Sequence, residues 1–364
     1  MTIAMLVPLV VSVLLGVGGP VLAPAMRPAA AVRSLAVSAV CAALALGLSL
    51  AVVAMFVLAG IRDIAVLGHW SPAELQVFPG APWPVGLAAA GLVAFLLMTA
   101  AVHTVRAGTQ LWSAEILCRR LGSAQGEDLP FLVDDDTPDA YAVPGIRGRI
   151  VVTTAMFAAL TAAERDALLA HESAHLKHRH HLWIQLVELA AVANPLLRRL
   201  PPVVRHAAER WADEDAAHAV SDRRLTAHAI AHAALASLPA RPGEPVMRGD
   251  SVILAATGGD VPRRVHALLH PPRLRWSRLA AAMITAVALA ACGSGAILGV
   301  SAEHRFERAH AGQAQSVAGA ATAALAAGSS PSPQVGWWPQ RTDVGALRRV
   351  GRGCASRRRG GHGG

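Results

Sequence analysis

Four stretches of this 364-residue chain are apolar and hold no Asp, Glu, Lys or Arg: roughly residues 3–23, 35–61, 84–105 and 279–300. Each reaches the ~20 residues that a helix needs to cross a hydrocarbon core. In lipid every backbone N–H and C=O must be satisfied within the chain, so uncharged runs of this length read as membrane-spanning helices. The expected fold is therefore mainly α and multi-pass. The first run has no basic residue ahead of it, and Val21-Leu22-Ala23 is followed by Pro24. That is a poor cleavage context, and a retained anchor is expected.

Arginine placement orients the spans. Arg27 and Arg33 follow the first run, Arg106, Arg119 and Arg120 follow the third, and Arg263, Arg264, Arg273, Arg275 and Arg278 precede the fourth. The loop after the second run sets Arg62 against Asp63 and Glu74. This reading places the protein in the cell membrane, with the N-terminus outside, the segment 107–275 in the cytoplasm and the C-terminal tail outside. The organisation is then residues 1–106 with three spans, 107–275 as one domain, 276–300 as the fourth span, and 301–364 as a disordered Ala/Gly/Pro/Arg-rich tail. The formal charge of +9 does not signal a nucleic-acid partner, because nine Arg against Glu307 and Asp343 put +7 of it in residues 304–364. Four cysteines (41, 118, 292 and 354) form no Cys-x-x-Cys, which leaves no thiolate metal site or disulfide framework to expect.

Chemistry concentrates in the middle segment, where nine of the 16 histidines lie between 171 and 232. Thr161-Ala162-Ala163-Glu164 is a capping-box pattern that starts a helix. That helix carries His171-Glu172-Ser173-Ala174-His175. Residues four apart share a helical face, so the two imidazoles can hold one zinc ion, and Glu172, about 100° round the helix, lies beside the metal as a general base. Zinc in a catalytic site takes a third protein ligand. Glu209 is the candidate, 34 residues after His175 on a helix expected over 204–220. Asp213, one turn further along that face, can orient a ligand histidine through its Nδ1–H. His206 can line the cleft and help stabilise the developing oxyanion.

The motif followed by Glu209-Arg210-Trp211-Ala212-Asp213 resembles the integral-membrane gluzincin peptidases of the HtpX and CAAX-prenyl-protease type. Asp139-Ala140-Tyr141-Ala142 and Arg149-Ile150-Val151-Val152-Thr153-Thr154 resemble their strand-rich lead-in. Lys177, Asn194-Pro195-Leu196 and Asp213-Glu214, with three spans before the domain and one after, resemble the BlaR/MecR antirepressor peptidases. The resemblance implies a cytoplasmic α+β zincin-type domain with a small strand region, one zinc ion on His171, His175 and Glu209, and hydrolysis of peptide bonds with Glu172 as base. It implies a protein or peptide substrate, a cytoplasmic winged-helix repressor in the antirepressor case, handled beside the lipid bilayer. The single lysine, Lys177, has Ala174 three residues before it. With no Ser-x-x-Lys, direct β-lactam sensing by acylation is not expected.

Other residues have plainer expected roles. His178, His180 and His181 read as a solvated or interfacial face, and His228 and His232 as surface. Leu182–Leu197 is apolar but short, either a core helix or a dip into the membrane. Arg149–Thr154 reads as an edge strand that aligns an extended substrate. The competing function is a non-catalytic membrane transducer that keeps the peptidase fold as a binding module, and the intact Glu172 argues against it.

Overall fold

The computed structural model describes residues 2–70, 75, 82–125, 130–146, 148–238, 260–271 and 277–326. Helix α1 spans Thr2–Leu22 and ends in a 3-10 turn at Ala23–Ala25. The residue before a proline is held extended, and Arg27 (φ −63°, ψ 135°) accordingly breaks the chain before Pro28 opens α2, Pro28–Ala59. A short α3 (Arg62–Gly68) follows, then α4, Trp83–Gln125. At 43 residues α4 is about 64 Å long, twice what a bilayer core needs, so its second half extends beyond the span read from sequence. Helix α11, Ser277–Ala326, is likewise too long for one crossing.

Among the described residues, four helices are thus long and apolar enough to cross a membrane. Their outer faces carry exposed Leu6, Val10, Phe95, Leu97, Met98 and Leu289, a surface suited to lipid. The expectation of a disordered tail from residue 301 is corrected over its first part, because α11 runs on to Ala326. Residues 311–326 are rich in Ala, the best helix former, and low complexity there does not mean absence of structure. The rest of the tail lies outside the described residues. Residues through His310 form one compact unit, and a second begins at Ala311.

Between α4 and α11 lie three short strands, β1 (Phe131–Val133), β2 (Ala140–Val143) and β3 (Arg149–Thr153). Their order is β1-β3-β2, with β1 parallel and β2 antiparallel to β3. The β-branched run Arg149–Thr154 is therefore the centre of the sheet and not its edge. Its residues Val151, Val152 and Thr153 are buried, as a strand paired on both sides requires. Thr153 then caps α5, Thr154–Ala159, by accepting the Met156 N–H.

The motif helix α6, Ala162–Lys177, starts on the capping box: Thr161 Oγ1 accepts the Glu164 N–H and Glu164 Oε2 accepts the Thr161 N–H. Arg179, in the left-handed region (φ 50°), turns the chain sharply into α7, His180–Ala193. After a 3-10 turn at Pro195–Leu197 come α8 (Leu200–Ala219), α9 (Arg223–Ala236) and α10 (Asp260–Leu269).

Helices α7 and α8 share one core with the spans. Val187, Ala190, Val204, Ala208 and Trp211 pack with Leu15 of α1, Leu35 and Ala39 of α2, and Ile284 of α11. The fully buried Asn194 donates from Nδ2 to Ser12 Oγ at 2.8 Å, tying the α7–α8 junction to α1. The same junction presses on Gly16, where a Cβ would meet the Leu196 carbonyl oxygen at 2.2 Å, while a Cβ on Gly18 would meet nothing within 4 Å. Gly16→Ala is therefore expected to cost about 1–3 kcal/mol by overpacking. Gly18→Ala, two residues away, is expected to be neutral or stabilising by up to about 1 kcal/mol. Thermal melts of the two variants in detergent check the contrast.

Candidate metal centre

Two helices from different parts of the chain meet at the site. On α6, His171 and His175 project from one face, as i, i+4 spacing requires. Their Nε2 atoms stand 3.2 Å apart. Helix α8 packs on α6 and brings Glu209 Oε2 to 3.5 Å from His171 Nε2 and Glu209 Oε1 to 3.6 Å from His175 Nε2. Among the described residues these three form the one His/Cys/Asp/Glu group placed to hold a metal. Ligands 2.0–2.1 Å from one tetrahedral zinc stand about 3.3–3.4 Å from each other. The three side chains form a triangle in which one carboxylate oxygen of Glu209 faces each imidazole, and two neutral-capable imidazoles with a carboxylate are a donor set that fits that ion.

Asp213, one turn after Glu209, is buried with Oδ1 3.0 Å from His171 Nδ1. Glu172 lines the cleft beside the triangle, together with Ala142 of β2. Burial, with the negative charge of Glu209, pushes Glu172 up to about 7. Burial opposes charge on His171 as well, but Asp213 and Glu209 outweigh it and raise this imidazole to about 10. His175 moves the other way, to about 4, through burial and the positive His171 and Arg264 nearby. His171 thus carries a proton before metal binding and must release it from Nε2. Zinc binding at neutral pH is expected to liberate about one proton per ion, read by calorimetry in buffers of different ionisation enthalpy.

Arg264 of α10 completes the site and had no role in the sequence reading beyond orienting the spans. Its buried guanidinium grips Asp213 with two bonds, Nε to Oδ2 at 2.8 Å and Nη2 to Oδ1 at 2.7 Å. Its Nη1 lies 3.0 Å from Glu209 Oε2. One rigid fork therefore fixes both carboxylates, and it holds Glu209 well below the usual carboxylate range against the effect of burial. Nothing in the local sequence singles out this arginine among the 33 basic residues. Asp260, at the start of the same helix, pairs with His206 Nδ1.

The histidine cluster after the motif is not a solvated face. The left-handed turn at Arg179 folds His180 back under α6, where it is 1% exposed. His178 stacks on Trp211 at 4.2 Å between centroids and bonds Asp215 Oδ2 at 2.7 Å. His181 lines the cleft. His232 pairs with Glu164 at 2.6 Å and remains half exposed, near the surface position expected of it.

The cleft has a volume of about 1220 Å³. Besides the site residues it is walled by β2, by apolar Met156, Leu168, Ile230 and Ala233, and by Pro20, Ala23, Pro24 and Pro28 of the α1–α2 junction. The junction between the first two candidate spans thus forms part of the cleft wall. The edge strand that lines the cleft is β2, and Arg149–Thr153 lies between β1 and β2.

The model of Peptidase family M48 matches residues 114–200. That match supports a zinc metallopeptidase. It takes in the end of α4, the sheet, α6 and α7, and so includes His171, Glu172 and His175, while Glu209, Asp213 and Arg264 lie beyond it. Comparison with curated proteins and with solved structures gives no match.

Proposed function

We propose that this chain is a membrane-bound zinc endopeptidase that cleaves protein substrates at the bilayer surface, with His171, His175 and Glu209 holding the ion. The observation that carries this reading is the convergence of His171, His175 and Glu209, with the imidazole Nε2 atoms 3.2 Å apart and a Glu209 oxygen within 3.6 Å of each, and Glu172 beside them in an open cleft. Zinc bound there supplies Lewis-acid polarisation of the attacking water and of the scissile carbonyl. Glu172 takes the proton of the attacking water and hands it to the leaving amine. Asp213 holds the His171 ring, and Arg264 holds Asp213 and Glu209. His206, its ring fixed by Asp260, donates toward the charge that develops on the carbonyl oxygen. The outer edge of β2 pairs with an extended substrate by backbone hydrogen bonds.

The arginine distribution favours a cytoplasmic site. The α1–α2 junction in the cleft wall favours a substrate held beside the membrane. Regulated proteolysis fits these features, with an antirepressor-type role, cleaving a cytoplasmic winged-helix repressor, as the specific form. The test uses full-length protein in detergent, with bound zinc measured and cleavage of casein and of the chain itself followed. About one zinc per chain, with cleavage lost to a chelator and restored by zinc, supports the reading. A zinc-loaded protein that cleaves neither substrate overturns the peptidase assignment, and full zinc in His171→Ala overturns the ligand set.

A further inference from the structure

Both histidines of the donor triangle face a partner at the ring nitrogen turned away from it. For His171 the partner is Asp213. For His175 it is His180, whose Nδ1 stands 3.1 Å from His175 Nδ1. His180 is among the most deeply buried polar residues described, and its other ring nitrogen, Nε2, is buried with no hydrogen-bond partner. A buried polar atom without a partner costs about 1–3 kcal/mol, so this placement needs a reason.

The tautomers supply one. A neutral imidazole has one N–H and one acceptor nitrogen. If His180 donated to His175 Nδ1, neutral His175 would carry its hydrogen on Nε2, the atom that faces His171 and Glu209, and could not ligate. The reverse arrangement frees that atom: His175 Nδ1–H donates, His180 Nδ1 accepts, and the hydrogen of His180 moves to the unpartnered Nε2. The metal-competent tautomer of His175 therefore requires His180 as an acceptor.

The ring of His180 is also held in place. It follows the left-handed Arg179, lies 4.9 Å from the Trp211 ring, and stacks with His178 at 5.7 Å between centroids. Trp211 in turn is covered by the Arg33 guanidinium of α2, 4.7 Å from its centroid. The acceptor is thus braced by α8 and by a candidate span.

We propose that His180 is the positioning residue for His175, accepting its Nδ1–H and fixing the tautomer and ring angle that leave Nε2 free for the metal. This rests on the zinc-peptidase reading above. Such outer partners typically change metal affinity by about 10–100-fold when removed. Leu and Asn have nearly the same shape, so His180→Leu and His180→Asn leave a similar cavity, and Asn offers an amide oxygen that can accept the His175 Nδ1–H, beside an NH2 group that can meet the place of the His180 Nε2–H. His180→Phe keeps the ring against Trp211 and has no acceptor.

The test measures zinc affinity of the full-length protein in detergent by competition with a chelating dye, with thermal melts to verify folding. His180→Leu and His180→Phe are expected to bind zinc about 10–100-fold more weakly than the unmodified protein, and His180→Asn within about threefold of it. Cobalt(II) in place of zinc is expected to give an altered visible spectrum in the Leu and Phe variants. If Leu leaves the fold unstable, the Phe variant decides. Equal affinities across Leu, Phe and Asn overturn the role of His180 and leave the zinc site standing. An unmodified protein that binds no zinc overturns both. Zinc bound without peptidase activity sinks the enzymatic reading alone, since the affinity series still reports on His180.

Discussion

Glu172→Gln is expected to slow peptide cleavage by about 10²–10⁴-fold while bound zinc stays at the level of the unmodified protein. The two parts of this result come from the geometry of one helix. Glu172 is a single residue from His171 but about 100° round the axis, so it lies beside the donor triangle and contributes nothing to it. Glutamine keeps the shape of the side chain and loses the ability to take a proton. Burial and the charge of Glu209 lift the carboxylate toward neutrality, where proton uptake and release are both accessible. Glu172 lines the same cleft as β2, the strand edge assigned to the substrate. An unchanged rate in a zinc-loaded Glu172→Gln protein would remove Glu172 from the reaction. An inactive variant that still binds substrate also serves to trap the natural target.

Arg264→Ala is expected to be the most destabilising single change at the site, by about 3–5 kcal/mol in the metal-free protein, the range seen when one partner of a buried ion pair is removed. The arginine side chain is 11% exposed and Asp213 only 2%. Truncation leaves the buried Asp213 with His171 as its remaining partner and removes a bond from Glu209. Zinc brings positive charge to the same carboxylates, so the loss should be smaller in the zinc-loaded protein. Lysine restores the charge without the fork that spans Asp213 and Glu209, and recovers only part of the stability. Melting curves with and without zinc measure all three states. A metal-free Arg264→Ala protein as stable as the unmodified one would show that the guanidinium does not hold the site together.

Signals that repeat within a few residues were readable without coordinates. The charge-free runs marked the four long helices, because crossing a bilayer sets a minimum length that composition reveals. Thr161 and Glu164 marked the start of α6, and four-residue spacing put His171 and His175 on one face. Glu209 and Asp213 were reachable because they too are four apart on a helix. Short-range pattern failed where the chain reverses or pairs at a distance. Val151 and Val152 mark a strand, but its central place between β1 and β2 and the cover on its two faces, Cys118 of α4 over Val151 and Met156 of α5 over Val152, come from pairing and packing that no local pattern orders. His180 looked like one more polar residue in a His-rich stretch until Arg179 adopted a left-handed turn and sent it under His175.

Sequence alone therefore determined the long apolar helices, the motif helix and the identity of the metal-ligating candidates, since each depends on helical periodicity or on apolar length. Tertiary structure decided the rest. It set α7 and α8 into the core of the spans, made β2 the open edge of the cleft, and brought Arg264 to Asp213 and Glu209 from 51 residues beyond Asp213. The physical reason is that a buried charge or ring nitrogen is defined by what surrounds it, and those surroundings come from helices far apart in the chain.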